Sequence, residues 1–464
     1  MKGTVNKGIL FYFLLLCTIV LGVACIIMTI LIFSPGTELF GISYYGKKVD
    51  SYYAKASSEE NAEYLDYLVN NNQLETFNIS SDYLDINVMM IDINRIQLNI
   101  NSLTTGIIKS GNQKNFVVNY NYDENTKTFN FNATGPKCSL FFSKKASINL
   151  YLPLDFNNQN LNLNLTSNDG DISIGNSKHD NFSFKNLNVE IKDSAFVNLG
   201  EKATFNNSLQ LTVPKGEIKI NSKLNTDLFK ITSDTAKIEI DNINSSEAVI
   251  KTNSSIIKLG TVSSNLVYDS KKGVLDIEKI TGTLQCEEDV LISNIFIDEA
   301  YDEIILPNAK SSTITINSLY ARCFIRTETG DVTINQATDV VDIETESGDI
   351  DVVINTHSDI SSPLNSTISN LVTKSGSINA KFTDVKFSNK IYTESGNISV
   401  SFKNGIDFIL TYNCVKNKPT LSKGITTNEI QNSASFNIGT PNLYDNITIL
   451  NNTGKTSIDD TFVF

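Results

Sequence analysis

Asp331 and Asp349 each follow a glycine and stand 18 residues apart, which makes them the best pair of carboxylates in the chain for acid and base chemistry. On neighbouring strands such groups lie about 5 Å apart, and retaining glycosidases use carboxyls at about that separation. The equivalent positions elsewhere are Lys237, Asn294, Thr313, Ser377 and Asn397, so Asp after Gly reads as turn chemistry. His179 and His357 fall far apart in loops and outside any metal-ligand spacing. No phosphate-binding glycine loop, zinc-spaced cysteine pair, calcium-binding nonapeptide or nucleophile elbow occurs. No enzyme activity, cofactor or metal is therefore expected.

The elements that carry these residues repeat. Aligned on a small turn residue, ten segments are anchored at Gly216, Ala236, Ser255, Gly273, Ser293, Ser312, Gly330, Gly348, Gly376 and Gly396, 18 to 20 residues apart with one interval of 28. Two places on stands an aliphatic column of Ile218, Ile238, Ile257, Leu275, Ile295, Ile314, Val332, Ile350, Ile378 and Ile398. Four places on a second column runs from Ile220 to Val400, with polar residues between the two, the period-two signature of a half-buried strand. A further strand precedes each turn, marked five places before the anchor by Leu211, Ile231, Ile250, Tyr268, Ile325, Ile343, Leu371 and Ile391, with Glu288 and Pro307 as exceptions.

A unit of two strands and a turn is too short to bury its own apolar face, and stacking on its neighbours hides it. The fold class expected is all-β, a parallel β-helix (β-solenoid). A weaker pair of coils at Gly170 and Ala195 brings the expected number to about twelve, a stack of roughly 60 Å at the strand spacing. An antiparallel sandwich is the alternative for so many short strands, but a sandwich needs no fixed period.

The ends add further expectations. Ile9 to Phe33 is an uncharged, mainly apolar run of 25 residues preceded by Lys2 and Lys7. At about 37 Å as a helix it is long enough for an uncleaved transmembrane anchor. Positive-inside logic puts residues 1–8 in the cytoplasm and the rest outside the plasma membrane. Residues 34–73 read as a stalk or linker, with Ser57 and Glu60 as a capping box and Tyr64, Leu65 and Leu68 on one apolar side. Residues 74–165 read as a capping region of irregular strands, 166–403 as the repeats, and 404–464 as a C-terminal cap. Cys286 and Cys323 each precede their anchors by seven places, which assigns them to one buried column with Ile305 between them.

Several strings resemble a bacterial family. Ala146-Ser147-Ile148-Asn149-Leu150-Tyr151-Leu152-Pro153, Asp169-Gly170-Asp171-Ile172, Thr345-Glu346-Ser347-Gly348-Asp349-Ile350 and Thr393-Glu394-Ser395-Gly396-Asn397-Ile398 are similar to the adhesin-like β-strand-repeat proteins of unknown function. The resemblance spans roughly residues 75 to 464. It implies a membrane-anchored, single-stranded parallel β-helix on the outer face of a bacterial membrane, and some relatives are associated with envelope-stress regulation. This chain departs from the pattern where Ala236, Ser255, Ser293 and Ser312 replace the turn glycine.

Net charge is −13, with no basic cluster to offset it, which excludes nucleic acid as a partner. The function expected is a non-catalytic cell-surface interaction or adhesion module, held by one span and meeting a cell-wall polymer, a host-surface polymer or another membrane protein. An envelope-stress sensor or regulator is the second reading, and a carbohydrate-active β-helix enzyme the third. Binding is expected on two long excursions, Val353 to Asn370 and Lys416 to Ser433, because variable loops on a rigid scaffold carry recognition.

Overall fold

A computed structural model describes residues 7–33, 38–39, 42–52, 59–109, 117–135, 142–154, 160–175, 182–200, 203–286, 292–355, 368–422, 425, 431–442 and 445–462. Among the described residues the chain is all-β apart from two helices, and it divides into two units. One comprises residues 1–156 and 164–173, the other 157–163 and 174–464.

The first unit contains strands Asp85–Ile91, Gln97–Lys109, Val117–Asp123, Thr128–Thr134 and Phe142–Pro153. Their pairing is mixed. Asp85–Ile91 runs parallel to Phe142–Pro153, and Gln97–Lys109 lies antiparallel on the other side of that strand. Side-chain amides tie the strands across their polar faces: Asn164 donates to Asn78 at 2.8 Å and Asn78 to Asn130 at 2.7 Å.

The expected stalk is corrected by the structure. Ile42–Tyr52 is a strand paired antiparallel with Gln97–Lys109. Helix Glu59–Asn70 buries Leu65 and Leu68, and the Asp66 carboxylate accepts the Ile96 N–H at 3.0 Å. The same Leu65 and Leu68 that mark the helix in the sequence pack it onto the strands, so this segment is part of the unit.

Lys7–Phe33 is a 27-residue helix. Among the described residues no helix is long and apolar enough to cross a membrane.

The second unit is a β-solenoid. Parallel strands pair residue for residue with their equivalents in the next coil. Val197 pairs with Ile218 and Ile218 with Ile238. The file continues from Ile257 through Leu275, Ile295, Ile314, Val332, Ile350 and Ile378 to Ile398. All of these are at most 1% exposed, so each aliphatic side chain lies in the core directly over its equivalent.

Pairing changes two assignments. Leu284 stacks on Ile304 and Ile304 on Cys323, while Leu306 stacks on Ile325. Cys286, two places beyond Leu284, therefore belongs with Tyr268 and Leu306, and not in the column of Cys323. The turns before Ser293 and Ser312 are one or two residues longer than the others, so counting back from the anchor reached Glu288 and Pro307 instead of Cys286 and Leu306. Both cysteines are buried and free, and burial pushes each thiol up to about 12. They are core residues, not redox groups.

The C-terminal segment stacks out of sequence order. Asn446–Asn451 lies directly on Ser388–Thr393, and Thr456–Phe462 on Ile398–Lys403. Phe408–Cys414, earlier in the chain, stacks on the far side of Asn446–Asn451 and carries Ser433–Ile438 antiparallel at its edge. The chain passes over one coil position and returns to fill it.

The turn is the tightest place in the stack. A Cβ on Gly348 would lie 2.0 Å from the Gly330 carbonyl oxygen, and one on Gly396 would lie 1.7 Å from that of Gly376. Glycine is required there by the approach of the neighbouring backbone. At Gly216, with φ of 111°, backbone conformation requires it as well. Three residues before the glycine a buried hydroxyl closes the turn. Thr345, Thr373 and Thr393 accept the N–H groups of Gly348, Gly376 and Gly396 at 2.9, 3.0 and 2.9 Å. Thr373 and Thr393 also donate to the carbonyls of Gly348 and Gly376 in the coil before, both at 3.3 Å. Asn451 performs both tasks with its amide, accepting from Gly454 at 2.9 Å and donating to Gly396 at 3.3 Å.

Gly396→Ala forces two coils apart, and a destabilisation of about 1–3 kcal/mol is expected. Thr393→Val strands a buried N–H and a carbonyl at a similar cost of about 1–3 kcal/mol. Urea unfolding of the two variants checks this, and midpoints equal to the parent's for both would contradict the close-approach account.

Candidate interaction surface

The ladder aliphatics face inward and the repeat-turn glycines lie in the backbone stack, with Gly273 also bordering an open groove. Gly170, in the first unit, uses the same device, its N–H bonded to Ser167 Oγ at 2.8 Å. Asp331 and Asp349 also belong to the scaffold. Asp331 accepts the Asp349 N–H at 2.8 Å, and Asp349 accepts the Ser377 N–H at 2.7 Å. Each carboxylate is bound to the backbone of the following coil, which explains why Asp follows the glycine. No group of metal-ligating side chains occurs among the described residues. His179 and His357 lie outside the described residues, as do 356–367 of one expected binding excursion and 423–424 and 426–430 of the other.

What the second unit presents outward is a corner of exposed aromatic and charged side chains on the coils anchored at Ser293, Ser312 and Gly330. The strand into this corner, Ile292–Ala300, ends on a buried Ala300, and the following residue turns outward. Tyr301 and Tyr320, 43% and 42% exposed, occupy equivalent places on adjacent coils and stack with centroids 4.6 Å apart. Lys279 Nζ covers the other face of Tyr301 at 4.5 Å from its centroid. The Tyr301 hydroxyl donates to Glu299 at 3.1 Å, and this bond, first among the causes, raises the phenol above its ordinary value.

Phe324 is 37% exposed, with the Arg326 guanidinium 4.0 Å over its ring. Arg326 is held by Asp342 at 2.9 Å and Glu344 at 3.1 Å, and Arg322 pairs with Glu303 at 2.5 Å. Two of the chain's three arginines, Arg322 and Arg326, are thus fixed by carboxylates shortly after Tyr320 in the chain, Arg326 against Phe324. Tyr, Phe and Arg are the residue types enriched where proteins meet partners. The signal was present in the sequence as Tyr301 and Tyr320 in register and as two arginines within five residues, but only stacking unites them.

The family is now legible. The Toastrack DUF4097 family matches residues 78–416. This chain belongs to the Toastrack DUF4097 family. Its unknown function leaves the Toastrack chain without an inherited activity. No curated protein matches it significantly. A solved structure from Clostridium sporogenes, titled a "putative cell adhesion protein", is 8% identical and covers 89% of this chain and 99% of its own. Its TM-score of 0.15 means that the likeness carries no argument.

A second charged cluster lies on the outer face of earlier coils. Lys237 bridges Glu239 at 2.6 Å and Glu217 at 3.2 Å. The hydrogen bond from Lys237 is the largest influence lowering the Glu239 carboxyl, followed in the same direction by the charges of Lys237, Lys219 and Lys258. Lys237→Gln is expected to return the Glu239 carboxyl upward toward the ordinary range, as read by NMR titration. An unchanged titration in the variant would show that the contact is not formed in solution.

Proposed function

We propose that this Toastrack chain is a non-catalytic surface-interaction module in which a stack of about twelve coils presents lateral side chains outside the plasma membrane. The observation that carries this reading is the partly exposed Tyr301–Tyr320 stack with Phe324, Arg322 and Arg326 on a rigid ladder. Large aromatics left exposed beside fixed arginines are costly in solution and useful in contact. The anchoring half of the proposal rests on the helix Lys7–Phe33 and on the absence of any charged residue from Ile9 to Phe33. With the N-terminus cytoplasmic, the coils face the wall or a host surface, and a polymer there is the partner proposed.

The test is crosslinking capture of wall or host polymer from intact cells by the full-length protein. Tyr301→Ala with Tyr320→Ala is expected to reduce capture about tenfold, the scale of a hot-spot truncation. Thermal stability should fall only slightly, by the loss of one partly exposed ring pair worth about 0.5–1.5 kcal/mol. Replacing Ile9 to Phe33 with an unrelated span should leave capture intact. Membrane proteins captured only with the native span would instead favour a sensor or regulator, and capture indifferent to the tyrosines would remove this surface from the account.

A further inference from the structure

The geometry points to a binding site for an acidic sugar, a hexuronate unit within a polysaccharide, in the groove floored by Ile256 and Val274. This inference rests on the surface-interaction reading and names a ligand class for it. The groove crosses the coils anchored at Ala236, Ser255, Gly273 and Ser293 and encloses about 430 Å³. That volume falls in the range of about 300–1,000 Å³ usual for small-ligand sites.

Three features of the lining converge. Ile256 is 60% exposed on an outward column whose other members are mostly polar, such as Glu217, Lys237, Asn294, Thr313 and Asp331. The doublet Ile256-Ile257 breaks the alternation of the strand, one isoleucine filling the buried file and the other left in water. Around this apolar floor stand Lys237 and Lys272, with no carboxylate among the described lining residues, on a chain whose net charge is −13. Lys237 is held in place by Glu217 and Glu239, whereas Lys272 forms no ion pair among the described residues. Thr235, Ser254 and Asn294 complete the rim with hydrogen-bonding groups.

A pyranose carboxylate matches this set. Its C–H face covers Ile256 and Val274, its carboxylate faces Lys272, and its hydroxyls meet Thr235, Ser254 and Asn294. A fatty acid would leave the polar rim unpaired, and a neutral sugar would leave Lys272 unused. A surface cation is worth little against one exposed charge in water, so the apolar floor and the hydroxyl partners must share the binding. Both kinds of substitution should therefore weaken it.

The experiment is calorimetric titration of the full-length protein in detergent with oligogalacturonate, and with its methyl ester as a neutral probe of the same shape. The acid is expected to bind about two- to fivefold more tightly than the ester, the difference shrinking as salt is raised. Lys272→Gln should lower affinity for the acid about two- to fivefold and leave the ester unchanged. Ile256→Asp should weaken both probes by about tenfold or more, without shifting thermal unfolding. Equal affinity for acid and ester, no binding of either, or indifference to both substitutions would overturn the assignment. A protein that still captures surface polymer through Tyr301 and Tyr320 while failing to bind oligogalacturonate would overturn this inference alone and leave the interaction reading standing.

Discussion

The structure depends on how closely one coil's turn approaches the next. At Gly330, Gly348, Gly376, Gly396 and Gly454 a carbonyl oxygen of the preceding coil occupies the space a Cβ would need. At Gly348, Gly376, Gly396 and Gly454 a buried Thr or Asn three residues earlier satisfies the glycine N–H, and at the last three the same side chain also reaches the carbonyl of the coil before. Register then follows without choice. Because side chains alternate with a period of two, a slip of one residue would turn the whole aliphatic file outward. The turn therefore fixes which isoleucine lies over which, and the apolar files supply the burial that holds coils together.

That constraint separates the scaffold from the surface. Residues whose spacing first suggested chemistry are part of the scaffold: Asp331 and Asp349 bind backbone N–H groups of the following coils. Residues that escape the repeat are the ones left to meet a partner. Tyr301 and Tyr320 stand beyond the end of the inward file, and Ile256 stands where its column wants a polar group. A rigid repeat with local exceptions suits recognition because the exceptions are held at spacings set by the stack, near 4.8 Å per coil.

Much of this fold was legible in the sequence because period and burial coincide. The files from Ile218 to Ile398 and from Ile220 to Val400 emerge from counting alone, and pairing places the equivalents in contact. Counting failed where turn length varies. Cys286 moved to the file of Tyr268 and Leu306, since a longer turn shifts the anchor without shifting the strand. The return of Asn446–Asn451 to lie against Ser388–Thr393 was not legible, because any coil of the same period can stack on any other. The burial of Leu65 and Leu68 was half legible: the apolar side of the helix showed, but not the strands it would cover. The candidate surfaces were hardest, since neighbours across coils lie about twenty positions apart in the chain and only the register brings Tyr301 to Tyr320 or Lys272 to Ile256.

The most direct measurement is native-state hydrogen exchange at the amides of Gly348, Gly376 and Gly396. These N–H groups bond to threonine hydroxyls at the closest point between coils, so exchange is predicted only with cooperative opening of the stack, as slowly as at Ile350, Ile378 and Ile398. Fast exchange at the three glycines beside protected isoleucines would mean that the turns open independently, and would contradict the claim that they set the register.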